Sequence, residues 1–148
     1  NTYFKHRFHA ILEAFRATEL AIILPVHPRL KKMVQSFDLQ FSENVYLIEP
    51  VGFLDMVALL DACRIVITDS GGLQKESYML KRPTITMRDT TEWVETIEAG
   101  WNVLCEPDIE VFLHAIDQAL HHPPIEHPSL YGEVGVSEAI VNIIANSL

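Results

Sequence analysis

Apolar positions along the chain switch between two spacings, which predicts an alternation of helices and strands. Helical spacing covers residues 3–17, where Phe8, Ile11, Leu12 and Phe15 share one face. Residues 20–26 form a continuous apolar run that suits a buried parallel strand. Further strands are predicted at 45–48, 65–68, 83–87 and 103–104, and further helices at 29–36, 55–61, 71–79, 91–99, 109–120 and 137–147.

This alternation predicts an α/β fold with a doubly wound, Rossmann-like parallel sheet. The predicted strands are apolar throughout, so we expect helices to cover both faces of the sheet. A length of 148 residues fits one domain. Ligands of such sheets bind beyond the carboxyl ends of the strands. In this chain those ends carry His27, Glu49–Pro50, residues 69–72 and residues 88–91.

Residues 65–76 carry the clearest chemical signal in the chain. A β-branched run ends in Asp69-Ser70-Gly71-Gly72, and helix-forming residues follow. This pattern predicts a strand, a tight turn and a helix N-terminus, whose unpaired N–H groups and partial positive charge attract phosphate. Glu76 lies nearly two turns beyond Ser70, where its carboxylate can accept hydrogen bonds from sugar hydroxyls. The segment therefore predicts half of a nucleotide-sugar site.

Composition and charge narrow the possible partners. The net charge of -9 argues against nucleic acid, which requires a basic face, but backbone N–H groups still allow a diphosphate ligand. No apolar run approaches the length of a membrane span, so no membrane partner is expected. Cys63 and Cys105 match no metal spacing and suggest reduced, buried thiols in a cytoplasmic protein. The histidines at 114, 121, 122 and 127 lack a metal-ligand pattern and are predicted to lie on the surface.

Three sequence blocks together carry a family resemblance. They are Pro25-Val-His27-Pro, Asp69-Ser-Gly-Gly-Leu-Gln-Lys-Glu76 and Arg88-Asp-Thr-Thr-Glu92. Their order and approximate spacing resemble those of the non-hydrolysing UDP-N-acetylglucosamine 2-epimerases. Leu80-Lys-Arg-Pro83, Tyr131-Gly-Glu133 and Ser137-Glu-Ala-Ile-Val141 extend the resemblance over nearly the whole chain.

The resemblance implies a GT-B architecture of two facing Rossmann-like domains, with residues 1–148 as the C-terminal, nucleotide-sugar-binding domain. The N-terminal domain with the acid/base carboxylates would be absent from this chain, and Asn1 would end a His-Arg-x-x-Asn segment. The implied reaction interconverts UDP-N-acetylglucosamine and UDP-N-acetylmannosamine by elimination and re-addition of UDP, without a nicotinamide or metal cofactor. We expect no catalytic residue in this chain and no turnover by it alone. Implied partners are the UDP-sugar and the N-terminal domain, with a homodimer left open. The implied setting is cell-surface polysaccharide biosynthesis in the cytoplasm.

The resemblance also assigns contacts to individual residues. The amides of Ser70, Gly71 and Gly72 would hold the diphosphate, and Glu76 would hold the ribose. His27 and Arg88 would face the cleft, and Met56 would lie near the uracil ring. Trp93 departs from the pattern, because many members have Arg immediately after Thr-Thr-Glu; we still expect it to contact the substrate.

Alternative functions follow from the same residues. The Trp93 region also resembles relatives that act on UDP-2,3-diacetamido uronic acid sugars, so a 2-epimerase of such a sugar is one alternative. The donor domain of a GT-B glycosyltransferase is another, although the Arg88–Glu92 block favours an epimerase. A response-regulator domain is disfavoured, because its first strand should end at paired acids, whereas Pro25-Val-His27-Pro stands here. A pure interaction module would bind no uridine nucleotide.

Overall fold

The computed structural model describes residues 2–37, 39–106, 108–132 and 135–147, with side chains from residue 8 onward except at position 29. Asn1 and Glu133, which the resemblance includes, lie outside the described residues. Twelve elements follow one another in the described part of the chain. They are α1 (Thr2–Ala17), β1 (Ile22–Pro25), α2 (Pro28–Phe37), β2 (Val45–Ile48), α3 (Phe53–Ala62), β3 (Val66–Thr68), α4 (Gly71–Met79), β4 (Thr84–Thr86), α5 (Val94–Glu98), β5 (Asn102–Leu104), α6 (Ile109–His121) and α7 (Val136–Asn146).

The strands form two parallel ladders, one of β1 and β2 and one ordered β3-β4-β5. In the first ladder Ile22 pairs with Val45 and Pro25 with Ile48. In the second, Thr68 pairs with Thr86, and Thr86 pairs with Leu104. Each ladder therefore aligns the carboxyl ends of its strands at one edge, as the sequence predicted for a parallel α/β fold.

One hydrophobic core joins the helices to the strands of both ladders. Its fully buried members include Ile85 on β4, Cys105 just after β5 and Phe112 on α6. The Phe112 ring lies 6.0 Å from the ring of Phe15 on α1. Val45 on β2 belongs to the same cluster of buried residues, so this core connects the two ladders.

Predicted element boundaries agree closely with the structure, except at α5. The sequence predicted a helix over 91–99, but α5 begins at Val94. The Thr91 hydroxyl explains the difference, because its oxygen accepts the Trp93 amide at 3.1 Å and forms a local turn there. Gly100 ends the helix with a φ of +76°, a conformation that glycine adopts at little cost.

The expectation that helices cover both faces of every strand was wrong for part of the chain. Ile23 on β1 and its pairing partner Tyr46 on β2 are more than half exposed. The apolar residues of α7 are also exposed, and α7 contains no buried residue. A run of apolar residues indicates that a surface avoids water, but the run does not specify which element covers that surface. No helix in the described ranges is both long and apolar enough to cross a membrane.

Candidate functional site

The register of β3 and β4 places two predicted site segments side by side. Thr68 pairs with Thr86, and Ser70 and Arg88 each follow two residues later. The Met87 amide donates to the Thr68 carbonyl at 2.8 Å, which extends the pairing one residue beyond β4. The turn at 69–70 and the segment that starts at Arg88 are therefore neighbours at the carboxyl edge of the ladder.

The N-terminus of α4 opens at this edge. Gly71 and Gly72 are its first residues, and their amides have no acceptor one turn earlier in the helix. Within the described ranges, no other protein acceptor is found for these two amides. They are available to an anion at the positive end of the helix dipole.

Ser70 differs from the expectation in one respect. Its amide donates to the Thr68 hydroxyl at 3.0 Å, so this N–H is not available to a phosphate. Its side chain makes no capping hydrogen bond to α4, although its backbone has the extended geometry of an N-cap residue. The predicted contribution of Ser70 to a ligand therefore shifts from its amide to its hydroxyl.

Residues on different faces of α4 have different surroundings. Gly72 and Glu76 are four residues apart and share a face. Glu76 is partly buried, and its carboxylate makes no ion pair or side-chain hydrogen bond in the described part of the chain. Gln74, Ser77 and Tyr78 point into the protein and are buried. An anion at Gly72 and a hydroxyl at Glu76 could thus belong to one ligand that lies along the helix.

A buried hydrogen-bond network centred on Gln74 fixes this edge. The Gln74 side-chain oxygen accepts the Thr91 hydroxyl at 2.6 Å and the Asn102 amide at 3.0 Å. Its side-chain nitrogen donates to the Ser70 carbonyl at 3.3 Å. The network continues from Asn102 to Thr86 and Thr96, whose side chains are buried. It ties α4, the loop after β4 and β5 together, so the α4 N-terminus is held in a preorganised position.

Sequence reasoning did not identify this network. Gln74 lies within the quoted motif, but its role was left unassigned. The available signal was Thr86, a polar residue inside the strand predicted at 83–87, and Asn102, directly before the strand predicted at 103–104. Buried polar groups need partners, so such a pattern indicates a network.

The base and the acid that begin and end the third block, Arg88 and Glu92, form an ion pair beside Gly71. Arg88 Nη1 lies 3.1 Å from Glu92 Oε2. A β-carbon built on Gly71 would lie 2.0 Å from Glu92 Oε1 and 3.5 Å from Trp93 Nε1. A glycine at position 71 therefore makes room for the Glu92 carboxylate at the mouth of the helix.

An aromatic cluster closes the side of the site. Trp93 meets Tyr131 edge to face with ring centroids 5.7 Å apart, and Lys75 Nζ lies 4.6 Å from the Tyr131 ring centroid and 5.2 Å from that of Trp93. Burial, and then the negative charge of Glu95, raise the pKa of Tyr131 to about 12. The Tyr131 side chain is neutral at physiological pH, and its ring faces the Lys75 ammonium as a cation–π partner.

His127 belongs to the same cluster, which corrects its predicted position on the surface. Its ring stacks on Tyr78 at 4.3 Å between centroids, and its Nε2 lies 2.7 Å from the Tyr78 carbonyl oxygen. The loop that carries His127 also accepts the Tyr78 hydroxyl at the Pro128 carbonyl. The proline-rich loop that carries His127 is therefore anchored on α4 by contacts with Tyr78.

The other two predicted contacts, His27 and Met56, lie after β1 and within α3. His27 follows β1, is exposed, and accepts the Lys31 amide on its carbonyl at 3.1 Å. Met56 is partly buried in α3, next to the strongly exposed Phe53 and Leu54. Their roles toward a ligand stay predictions.

In the described part of the chain, no group of three or more His, Cys, Asp or Glu side chains is placed to hold a metal ion. Both cysteines are free thiols. Burial raises the pKa of each thiol, so neither has the character of an activated nucleophile. The site consists instead of helix amides, one half-buried carboxylate, an ion pair and aromatic rings.

Comparisons with known proteins identify the family of this chain. A family model described as UDP-N-acetylglucosamine 2-epimerase matches residues 1–145. A UDP-N-acetylglucosamine 2-epimerase homolog of Methanococcus maripaludis is 39% identical over 99% of this chain. A UDP-2,3-diacetamido-2,3-dideoxy-D-glucuronate 2-epimerase of Pseudomonas aeruginosa is 34% identical over 94% of it. The chain spans 42% and 40% of the lengths of these two relatives.

Solved structures show the same relationship. The UDP-GlcNAc 2-epimerase of Methanocaldococcus jannaschii superposes with a TM-score of 0.86 at 34% identity, over 96% of this chain and 42% of that one. A second structure of that enzyme, in complex with UDP-GlcNAc and UDP, gives a TM-score of 0.84 at 34% identity, over 97% of this chain and 40% of that one.

Proposed function

The chain belongs to the UDP-N-acetylglucosamine 2-epimerase family, and we propose that it is the UDP-binding part of such an epimerase. The proposed reaction interconverts UDP-N-acetylglucosamine and UDP-N-acetylmannosamine. We further propose that it acts in the cytoplasm and serves cell-surface polysaccharide biosynthesis. The observation that carries the proposal is the α4 N-terminus, whose first two amides have no protein acceptor in the described ranges, with Gly72 and Glu76 on one helix face, in a chain similar to an epimerase solved with UDP.

The α4 N-terminus suits the diphosphate. The amides of Gly71 and Gly72 have no protein acceptor in the described ranges, and the helix dipole favours negative charge beside them. The Ser70 hydroxyl adds a third donor at the same turn. Phosphate can approach closely at Gly72, since a β-carbon there would find only the Ser70 hydroxyl, at 3.9 Å. This donor set requires no basic patch, which reconciles an anionic ligand with a net charge of -9.

The chemistry of the proposed reaction explains why such donors matter. Elimination of UDP places growing negative charge on the departing phosphate oxygen. Donors that are already oriented stabilise that charge without reorganisation. The same contacts hold UDP in the site after its bond to the sugar has broken, so UDP can add back to the sugar intermediate. The Gln74 network supports this role because it fixes the turn and α4 relative to each other.

The remainder of the reaction needs groups beyond this chain. We propose that a further domain, as the length of the relatives suggests, supplies the acid and base and closes over the ligand. Exposed apolar surface on α7 supports such a partner, since Val136, Ile140, Ile143 and Ile144 are each more than half exposed. Apolar helix faces of this kind are typical of contact surfaces. A second copy of the chain would be a further candidate for the same surface.

Replacement of Glu76 by Ala tests the ribose contact. We expect UDP affinity to fall by about 1–3 kcal/mol, since hydrogen bonds to charged groups are worth that order. Isothermal titration calorimetry of the 148-residue chain with UDP measures the change. Glu110→Ala, an exposed acid on α6, is the charge-matched control and should leave the affinity unchanged.

A second ligand sharpens this test. The parent chain should prefer UDP over 2′-deoxy-UDP if Glu76 accepts ribose hydroxyls, and Glu76→Ala should lose most of that preference. Equal UDP affinity in parent and Glu76→Ala would remove the ribose assignment. Absence of uridine nucleotide binding by the parent would favour an interaction module instead.

A second candidate function is the epimerisation of a UDP-2,3-diacetamido uronic acid sugar. It is favoured by Trp93 and by the similarity to the Pseudomonas aeruginosa enzyme over 94% of the chain. Product analysis with the full-length gene product and each sugar nucleotide separates the candidates. Conversion of UDP-N-acetylglucosamine without an acceptor supports the first candidate, conversion of the diacetamido sugar alone supports the second, and transfer that requires an acceptor indicates a glycosyltransferase.

A further inference from the structure

A carboxylate of the protein itself, that of Glu92, lies at the N-terminus of α4. Glu92 Oε1 lies 2.0 Å from the point where a Gly71 β-carbon would be. Because a β-carbon lies about 2.5 Å from its own amide nitrogen, this oxygen is within roughly 4.5 Å of the Gly71 N–H group. No hydrogen bond joins the Gly71 amide to Glu92. The carboxylate is thus held by charge and by Arg88, and it lies where an incoming phosphate would approach.

From this placement we propose that the Glu92 carboxylate occupies the position of a ligand phosphate. The phosphate displaces this carboxylate when it binds, and we call this displacement the exchange. Arg88 Nη1 is paired with Glu92 Oε2 at 3.1 Å. When the phosphate arrives, the Glu92 carboxylate turns toward solvent and Arg88 transfers its contact to the phosphate. Both side chains are partly exposed, at 36% for Arg88 and 50% for Glu92, so the rotation requires no opening of the core. This inference rests on the proposed function, whose site it deepens.

A donor that the protein leaves unused supports the exchange. The Trp93 indole N–H is buried without a hydrogen-bond partner and lies 3.5 Å from the same Gly71 point. A buried N–H without an acceptor is costly, and such groups are rare in native structures. The other tryptophan differs, because the Trp101 indole donates to the Glu126 carbonyl at 2.8 Å. A phosphate in the place of Glu92 would meet the Gly71 amide, Arg88 and the Trp93 N–H.

Trp93, the residue that departs from the family pattern, has a role in this exchange. Trp93 adds no charge at this turn, yet its indole nitrogen lies 3.5 Å from the same Gly71 point that Glu92 Oε1 approaches to 2.0 Å. Because the Trp93 ring also packs on Tyr131, the position of the indole is fixed in advance. Affinity for the anion is therefore set by competition with Glu92 and not by the number of cations.

Glu92→Gln tests the exchange, because it removes the charge and keeps the shape. We expect the variant to bind inorganic pyrophosphate about 3- to 10-fold more tightly than the parent chain. Glu98→Gln changes the net charge equally, from an exposed position on α5, and should shift the affinity less than twofold. Arg88→Gln in the Glu92→Gln background should lose the gain, because Arg88 is the group that the exchange releases.

Amide NMR locates the anion. The two tryptophans give two indole N–H resonances. Pyrophosphate should shift the Trp93 indole resonance and the amides of Gly71 and Gly72, and leave the Trp101 indole in place. Unchanged affinity in Glu92→Gln, or a Trp93 resonance that does not move, would overturn the proposal.

Titration with UDP separates this result from the proposed function. If Glu92→Gln binds pyrophosphate more tightly than the parent chain does, but does not bind UDP more tightly, the nucleotide assignment fails and the exchange stands. If UDP binds with the dependence on Glu76 described above, and Glu92→Gln gains nothing, the exchange fails and the proposed function stands. If neither anion binds to any variant, both are overturned.

Discussion

Replacement of Gln74 by Leu lowers the free energy of unfolding by about 2–4 kcal/mol, because it leaves buried polar groups without partners. Gln74 is 1% exposed, and its side chain accepts from Thr91 and Asn102 and donates to the Ser70 carbonyl. Leu fills a similar volume but accepts nothing, so the Thr91 hydroxyl loses its acceptor. Chemical denaturation followed by circular dichroism measures the loss.

The control for this variant is Gln118→Leu on α6, where the side chain is exposed. That substitution should change stability by no more than about 0.5 kcal/mol. A Gln74→Leu protein as stable as its parent would show that the network contributes nothing to the folded state.

The same variant should also weaken UDP binding beyond its effect on folding. Thr91 connects Gln74 to the Trp93 amide, so loss of the Gln74 acceptor loosens the loop that carries Arg88 and Glu92. We expect UDP affinity to fall under conditions in which the variant is still fully folded. Unchanged affinity would indicate that the α4 N-terminus keeps its position without the network.

Replacement of Phe112 by Ala should cost about 3–5 kcal/mol, which is the range for a large aromatic side chain removed from a core. Phe112 is 1% exposed, packs against Phe15 and belongs to the cluster shared by both ladders. The resulting cavity would lie between α1 and α6, the two helices that these rings join. Thermal and denaturant unfolding measure the loss.

Two further variants keep this prediction testable. Typical domains have only about 5–15 kcal/mol of stability, so Phe112→Ala could leave little folded protein. Phe112→Leu keeps most of the volume and should cost roughly 1–1.5 kcal/mol. Val111→Ala, at an adjacent position that is 52% exposed, should be close to neutral. Equal costs at positions 111 and 112 would contradict the assigned core.

Local sequence patterns were sufficient to predict most helices and strands, and the turn and helix N-terminus of the motif at residues 69–76. The sequence predicted the bounds of β2 and α4 as the structure has them. It also predicted the turn between β3 and α4, since Gly71 and Gly72 follow a β-branched run directly. These features depend on backbone preference and on spacing between near neighbours, both of which are visible in a linear sequence.

Contacts between distant residues were decided only by the tertiary structure. Gln74 meets Asn102 across 28 residues, and Tyr78 meets His127 across 49. The Glu92 carboxylate reaches Gly71 because pairing of β3 with β4 brings their two loops together. Hydrophobic periodicity carries no information about which polar side chain lies opposite another.

What the sequence by itself determined was the order of elements, the parallel α/β class and the helix that begins at Gly71, because backbone preferences and apolar spacing act locally. Only the tertiary structure decided that the Ser70 amide is engaged by Thr68, that Glu92 lies over Gly71, and that Ile23 and Tyr46 are exposed. The physical reason is that hydrogen-bond partners and burial are set by surfaces that meet in space.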